Sequence, residues 1–355
     1  GYALQLLGRE NVLAKVGVEP TGEAFNSIIL DDEHNRPFNP MVNAGAIAVA
    51  SLLIGSRERP SVAPEALLGA FAGRDLTVDM NVMRSEHKTG HRNRAIAYMM
   101  LNTGMIEHSP ETVLDFYFRQ CSVNVTCDDM AVMAATLANL GVNPRTGNQV
   151  LAPRHVQDVL TLMSTCGMYD YAGQWAYDVG IPAKSGVSGG VIAAIPGQVG
   201  IAIWSPPLDE VGNSVRGIEV CKAISNDFGL HAFAEKANAG MVVRRHYTGA
   251  AVSSKRIRSA SEREWLTHVA NRVHVMELQG TLYFGPAETV IHQLSDSLDD
   301  TDEIIIDFTR VSYTDAAAAR LLAEAFGTFC KVGCKMILTG IRSDGPLKAC
   351  LLYTS

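Results

Sequence analysis

The chain has 355 residues, 47% of them hydrophobic and 19% charged, which suits two ordinary globular cores. A formal net charge of −7 argues against a general nucleic-acid binder, no stretch approaches the about 18 apolar residues of a membrane span, and no signal peptide is visible. The seven cysteines are odd in number and form no C-x-x-C pair, which fits reduced thiols in a cytoplasm better than a disulfide framework.

The chain opens at Gly1, without a Met, on Tyr2 to Leu7, which reads as a helix already under way and so as an N-terminally truncated chain. Asn39 as N-cap and Pro40 at the first position predict a helix that puts Asn43 in its first turn. Ser85-Glu86-His87-Lys88 has the Ser-x-x-Lys spacing, but Thr89-Gly90 follows directly and argues against the helix such a pair needs. His87 and His91 stand four apart, as zinc ligands on a helix would. Gly90 interrupts them, however, and no third ligand is evident, so neither a metal nor another cofactor is expected. Thr126 and Asp129 predict a capping box ahead of Met130, Met133, Ala134, Leu137 and Leu140, with Gly141 and Pro144 ending that helix.

Lys184-Ser185-Gly186, followed by Val187 and Gly189-Gly190, has the K-[ST]-G form of penicillin-binding and β-lactamase-like serine enzymes. A lysine and a hydroxyl at the start of a strand place a cation and a donor beside a substrate carbonyl or carboxylate, and small residues let the backbone approach the ligand. The flank fits, because Val191 to Ile195, Pro196-Gly197-Gln198 and Val199 to Trp204 predict two buried strands joined by a tight turn. Val211 to Ala234 reads as a closing helix on that sheet. No phosphate-binding glycine loop is present.

From about residue 238 the composition shifts. Residues 238–263, rich in Ala, Ser, Gly and Arg (Arg244, Arg245, Arg256, Arg258 and Arg263 among them), read as a linker. Beyond it, Val273 to Leu278, Glu303 to Phe308 and Lys335 to Thr339 predict strands, while Pro286 to Leu298 and Ala316 to Phe329 predict helices. Cys350 to Ser355 has no obvious place in a domain and reads as an incomplete or artefactual end.

Seven separated blocks occur in order: Gly17-Val18-Glu19-Pro20-Thr21-Gly22, Phe25-Asn26-Ser27, Asn39-Pro40-Met41-Val42-Asn43-Ala44-Gly45-Ala46-Ile47, Ser85-Glu86 with Arg92-Asn93, Leu114-Asp115-Phe116-Tyr117-Phe118, Cys166-Gly167-Met168-Tyr169-Asp170, and Lys184-Ser185-Gly186-Val187. Together they closely resemble the serine-dependent glutaminases, which hydrolyse L-glutamine to L-glutamate and ammonia. The resemblance covers residues 1–237 and implies a β-lactamase-like α/β fold, a helical part beside an α/β part with a central antiparallel sheet. It also implies a homo-oligomer with L-glutamine as its small-molecule substrate.

In that family the nucleophile is the serine of a Ser-x-x-Lys motif, which the resemblance places ahead of Gly1, with a further substrate-binding tyrosine upstream of it. The 355-residue chain itself is therefore expected to be inactive. Ser85 is not taken as the nucleophile, because the resemblance aligns its neighbour Glu86 with a substrate ligand. A free amino acid needs one anionic contact for its ammonium and several neutral donors. By carry-over Glu86 pairs with the ammonium, and Asn43, Asn93 and Tyr117 bond the carboxylate and the side-chain amide. Tyr169 binds substrate and relays a proton, Lys184 belongs to the catalytic set, and the backbone N–H of Val187 helps form the oxyanion hole. Two alternatives stay open: another penicillin-binding-like serine amidase, or a non-catalytic glutamine-binding module.

Residues 264–355 resemble a STAS domain, an α/β fold found in anti-sigma-factor antagonists and sulfate-transporter tails. The matching residues are Leu278-Gln279-Gly280-Thr281-Leu282-Tyr283-Phe284-Gly285 and Asp307 to Asp315. Where the switch members carry a phosphorylatable Ser or Thr after the aspartate, this chain has Ala316-Ala317-Ala318-Ala319, so docking of a protein or a small ligand is expected in place of phosphorylation.

Overall fold

The structure, a computed structural model, describes residues 1–54, 61–233, 242–252, 256–298, 301–342 and 345–353. It divides into two compact units, Gly1–Asn226 with Leu230–Ala232, and Phe233 onward with Asp227–Gly229.

The first unit has a helical part and a sheet part. Helices Asn43–Leu53, His91–Asn102 and Pro110–Cys121 share a core in which Ile47, Ile96, Met100 and Phe118 are fully buried. Strands β1 (Ala183–Ser185), β2 (Gly190–Ile195) and β3 (Val199–Trp204) form an antiparallel sheet in that order, with Lys184 opposite Ile192 and Val191 opposite Ile203. The hairpin is as predicted, but only β2 is buried. β3 is an edge strand, half-buried along its length, with Trp204 exposed. Helix Cys127–Ala138 carries the predicted capping box, Thr126 and Asp129 each accepting from the other's backbone N–H. It lies so close to β3 that a Cβ on Gly200 would fall 2.1 Å from the Ala135 nitrogen, so glycine is required there.

Three sequence expectations shift in this unit. The helix expected from Asn39 starts at Asn43, because the Asn39 side chain donates to the Glu19 carbonyl and accepts from the Met41 N–H, closing a turn and not a helix. The closing helix is Val215–Phe228, shorter than 211–234 because Asp209 folds the residues before it into a turn; residue 234 lies outside the described residues. Ser85 to Lys88 do lie in a helix, Met80–Thr89, since Gly90 ends it only after the motif is complete.

The second unit is a four-stranded sheet in the order β4 (Val243–Thr248), β5 (Val273–Leu282), β6 (Glu303–Thr314), β7 (Lys335–Thr339). β5, β6 and β7 are parallel and β4 is antiparallel to β5. Helices Phe284–Ser295 and Ala316–Lys331 cover the core of Met276, Leu278, Ile304, Ile306, Leu322 and Phe326. Asp315 caps the second of these by accepting from the Ala318 N–H at 2.6 Å, and Ala317, Ala318 and Ala319 are buried.

Two expectations are corrected here. Part of the stretch read as a linker, 238–263, forms β4, with Arg244 and Arg245 both paired to Glu277 on β5 (2.6 and 3.7 Å); residues 238–241 and 253–255 lie outside the described residues. The tail read as artefactual belongs in part to helix Pro346–Tyr353, where Leu347 is buried and Cys350 and Leu351 pack on the core; residues 354–355 are not described.

Candidate active site

Asn43, Asn93, Glu86 and Tyr117 come from four helices of the helical part. Asn43 is the first residue of its helix, and its Nδ2 donates to Asn93 Oδ1 at 3.0 Å. The close entry of the chain requires Gly45, where a Cβ would stand 1.8 Å from the Asn39 carbonyl oxygen. Glu86 sits on helix Met80–Thr89, capped by Asp79, and Asn93 lies in the first turn of the next helix, after a sharp break at Gly90. A side chain at Gly90 would collide with Phe118, whose Cζ lies 2.5 Å from the would-be Cβ. Tyr117 is buried, and burial pushes its phenol far above the ordinary value, with Cys121, Glu86 and Tyr169 adding to the shift. Its phenol therefore stays protonated and able to donate.

The other three residues gather at the sheet. Gly167 is tight against β1: a Cβ there would lie 1.7 Å from the Ala183 oxygen, and the Gly167 carbonyl accepts from the Ser185 N–H at 3.0 Å. That contact delivers Tyr169 to β1 with a φ of +55°, a left-handed conformation uncommon for a non-glycine residue. The Tyr169 hydroxyl donates to the Ser185 carbonyl at 2.9 Å. Lys184 Nζ donates to the same oxygen and lies 4.2 Å from the centre of the Tyr169 ring. Burial pulls the Lys184 ammonium down to about 7 and pushes the Tyr169 phenol up to about 12. At neutral pH the lysine is thus poised to exchange a proton while the tyrosine keeps its own.

Val187 is exposed at the tip of a tight turn in which Gly186 N–H donates to Gly190 O at 2.8 Å. The turn is held from β3 and the residue after it, Trp204 Nε1 donating to Ser188 O at 3.0 Å and Ser205 N–H to Gly189 O at 2.9 Å.

Phe25 and Gly212, to which sequence reasoning assigned no role, knit these groups together, and Ser185, whose hydroxyl the motif offers as a donor to substrate, stands with Tyr169 and Lys184. Phe25 accepts the Asn43 N–H on its carbonyl at 2.9 Å, and its ring centroid is 4.8 Å from that of Tyr169, so it links the helical group to the sheet group. Gly212, with φ +100°, stands where a Cβ would meet Phe25, Val187 and Tyr169 at 3.4, 3.6 and 4.0 Å. Ser185 is buried with its Oγ lacking a partner. Phe25 and Ser185 already stood inside motif blocks. Gly212 carried only the signal of an Asp-x-x-Gly-Asn turn.

The rival nucleophile finds no support. Ser85 and Lys88 are both exposed on their helix. His87 Nε2 stands 3.2 Å from Asp115 Oδ1, and among the described residues no group of three or more His, Cys, Asp or Glu is arranged to hold a metal.

Comparison with known proteins identifies the family. Residues 1–233 match the glutaminase family and residues 264–345 match the STAS domain. A glutaminase of Trichormus variabilis is 59% identical over 235 residues, covering 66% of this chain and 70% of its own. Glutaminase 2 of Bradyrhizobium diazoefficiens is 46% identical over 354 residues, covering 98% of this chain, which in turn spans only 56% of that relative's length. The solved structure of Mglu in its glutamate form is similar with a TM-score of 0.63 and 33% identity, over 97% of this chain and 83% of that one. The helical part set beside an antiparallel sheet is the β-lactamase-like fold of these neighbours. The chain belongs to the glutaminase family and carries a STAS domain behind its glutaminase domain.

Proposed function

We propose that the protein hydrolyses the side-chain amide of L-glutamine to L-glutamate and ammonia through a serine acyl-enzyme. The observation that carries this reading is the meeting of Tyr169 and Lys184 on the Ser185 carbonyl, beside the turn that presents Val187. Glu86 supplies the countercharge for the substrate ammonium, and Asn43, Asn93 and Tyr117 supply neutral polar groups for its carboxylate and amide. Attack on the amide carbonyl puts charge on its oxygen, which the Val187 N–H receives. Tyr169, its phenol protonated at neutral pH, hands a proton toward the departing ammonia, and water then releases glutamate. The serine and its base are those of the Ser-x-x-Lys element that the family resemblance implies. Set against a different serine amidase, the pairing of one carboxylate with two asparagines favours a free amino acid over a peptide.

Among the described residues the cysteines form no disulfide, which supports a reducing, cytoplasmic location. Among the described residues no helix is long and apolar enough to cross a membrane. For the STAS unit we propose docking of a protein or small ligand, and for the whole protein a homo-oligomer.

The acyl-enzyme is tested by acid-quenching the full-length protein during turnover of L-glutamine and measuring its intact mass. A gain of one glutamyl group on a serine is expected. Turnover that leaves no such adduct, even after rapid quenching, would remove the covalent step.

A further inference from the structure

The turn 209–213 is unusually well determined for a surface connection. Asp209 Oδ1 accepts three successive backbone N–H groups, from Val211 (3.0 Å), Gly212 (2.8 Å) and Asn213 (2.8 Å), and the Asp209 N–H donates back to the Asn213 carbonyl at 2.8 Å. Leu208 and Ser214 pair across its base, and Ser214 Oγ donates to the Ser205 carbonyl at 2.8 Å. A segment this closed, with φ +100° at Gly212, holds one shape without help from elsewhere.

Its far side reaches the candidate site. Asn213 is fully buried, and its Nδ2 donates to the carbonyl of Met168, the residue before Tyr169, at 3.4 Å. Gly212 lies against the Tyr169 ring, the Phe25 ring and the Val187 side chain, which come from three other segments and would stand 3.4–4.0 Å from a Cβ there, in ordinary van der Waals contact. Tyr169 needs such support, because its left-handed φ is unfavourable for a non-glycine residue and persists only when its surroundings over-determine it.

We propose that Asp209 and Asn213 are positioning residues of the glutamine site: Asp209 shapes the turn, and Asn213 pins the Met168 carbonyl so that Tyr169 stays over Lys184 and beside Val187. The inference rests on the function proposed above and extends it to a segment that carries none of the residues assigned to substrate. A turn that slackens lets Tyr169 leave the Ser185 carbonyl and admits water to the Lys184 amine.

The test uses the full-length protein with Asp209→Ala, Asp209→Asn and Asn213→Ala, each checked for native circular dichroism. Two quantities are read: kcat and KM for L-glutamine, and the pH midpoint of Lys184 acylation, followed by mass spectrometry of its peptide. Asp209→Ala and Asn213→Ala are expected to lower kcat by about 10–100-fold with KM within about twofold, as displacement of a reacting group does. The Lys184 midpoint should move upward from near 7 in both. Asp209→Asn keeps the Oδ1 acceptor and should restore kcat to within a few-fold of wild type. Unchanged kcat and an unchanged midpoint in Asp209→Ala would overturn the proposal, as would an Asp209→Asn variant as impaired as the alanine. Wild type that fails to release ammonia would refute the proposed function instead, and the Lys184 midpoint would still report on the turn.

Discussion

Lys184 Nζ lies 4.2 Å from the centre of the Tyr169 ring, and the two side chains donate to one acceptor, the Ser185 carbonyl. The arrangement places an amine stripped of water against a phenol stripped of water. Their ordinary values are driven in opposite senses, down for the lysine and up for the tyrosine, by the same burial.

The first consequence is a pH-dependent stability. The Lys184 ammonium falls from 10.5 in the unfolded chain to about 7 in the folded one. Between those values the unfolded chain binds more protons, so stability rises with pH across that window, and the burial penalty is complete below about 7. Lys184→Met removes the penalty. Thermal unfolding of the variant and wild type at several pH values should show the variant's advantage at neutral pH shrinking as pH approaches 10.5. An advantage independent of pH would mean that Lys184 is not desolvated.

Tyr169→Phe keeps the ring against Phe25 and removes only the hydroxyl. If the hydroxyl relays a proton, kcat should drop by about 10²–10⁴-fold. The lost hydrogen bond to Ser185 is worth on the order of 1 kcal/mol, so the melting temperature should change little. A Phe variant with wild-type turnover would return Tyr169 to the role of a packed aromatic.

Much of this architecture was legible in the sequence where local signals and tertiary context agree. The Thr126–Asp129 capping box, the 190–204 hairpin and strand β7 stand where turn chemistry and periodicity put them. Other features depended on partners distant in sequence. Asn39 looks like a helix cap until the Glu19 carbonyl claims its side chain. β4, with the sequence Val-Arg-Arg-His-Tyr-Thr, has no apolar alternation and becomes a strand by pairing with β5 and by the grip of Glu277 on both arginines. Gly90 reads as a helix breaker but serves as the end of one helix and the start of the next. In the site, residue types that bind or transfer protons could be read from the motif series. The glycine whose φ of +100° shapes the turn beside them, and the buried asparagine behind Tyr169, could not, since neither does chemistry.

Glu86→Gln exchanges a carboxylate for a nearly isosteric amide and removes the countercharge of the substrate ammonium. Losing a charge-assisted contact costs roughly 1.5–3 kcal/mol, or about 10–150-fold in kcat/KM. Steady-state kinetics on the full-length variant, with circular dichroism to confirm the fold, would check this. An unchanged kcat/KM would make Glu86 a structural carboxylate.

The two compact units share no motif, and each has its own core. Deleting everything after about Glu235 from the full-length protein should leave glutamine hydrolysis largely in place and alter assembly or regulation instead. Activity together with size-exclusion chromatography checks the point. A truncated protein that stays folded yet loses its chemistry would make the STAS unit part of the active unit.

The central claim is tested most directly by ammonia release from L-glutamine, measured on the full-length protein and on its Ser85→Ala variant. Sustained release by both is expected, because Ser85 and Lys88 are exposed on their helix. Silence from the wild-type protein would refute the glutaminase reading itself, and loss of turnover in a folded Ser85→Ala variant would restore Ser85 as the nucleophile.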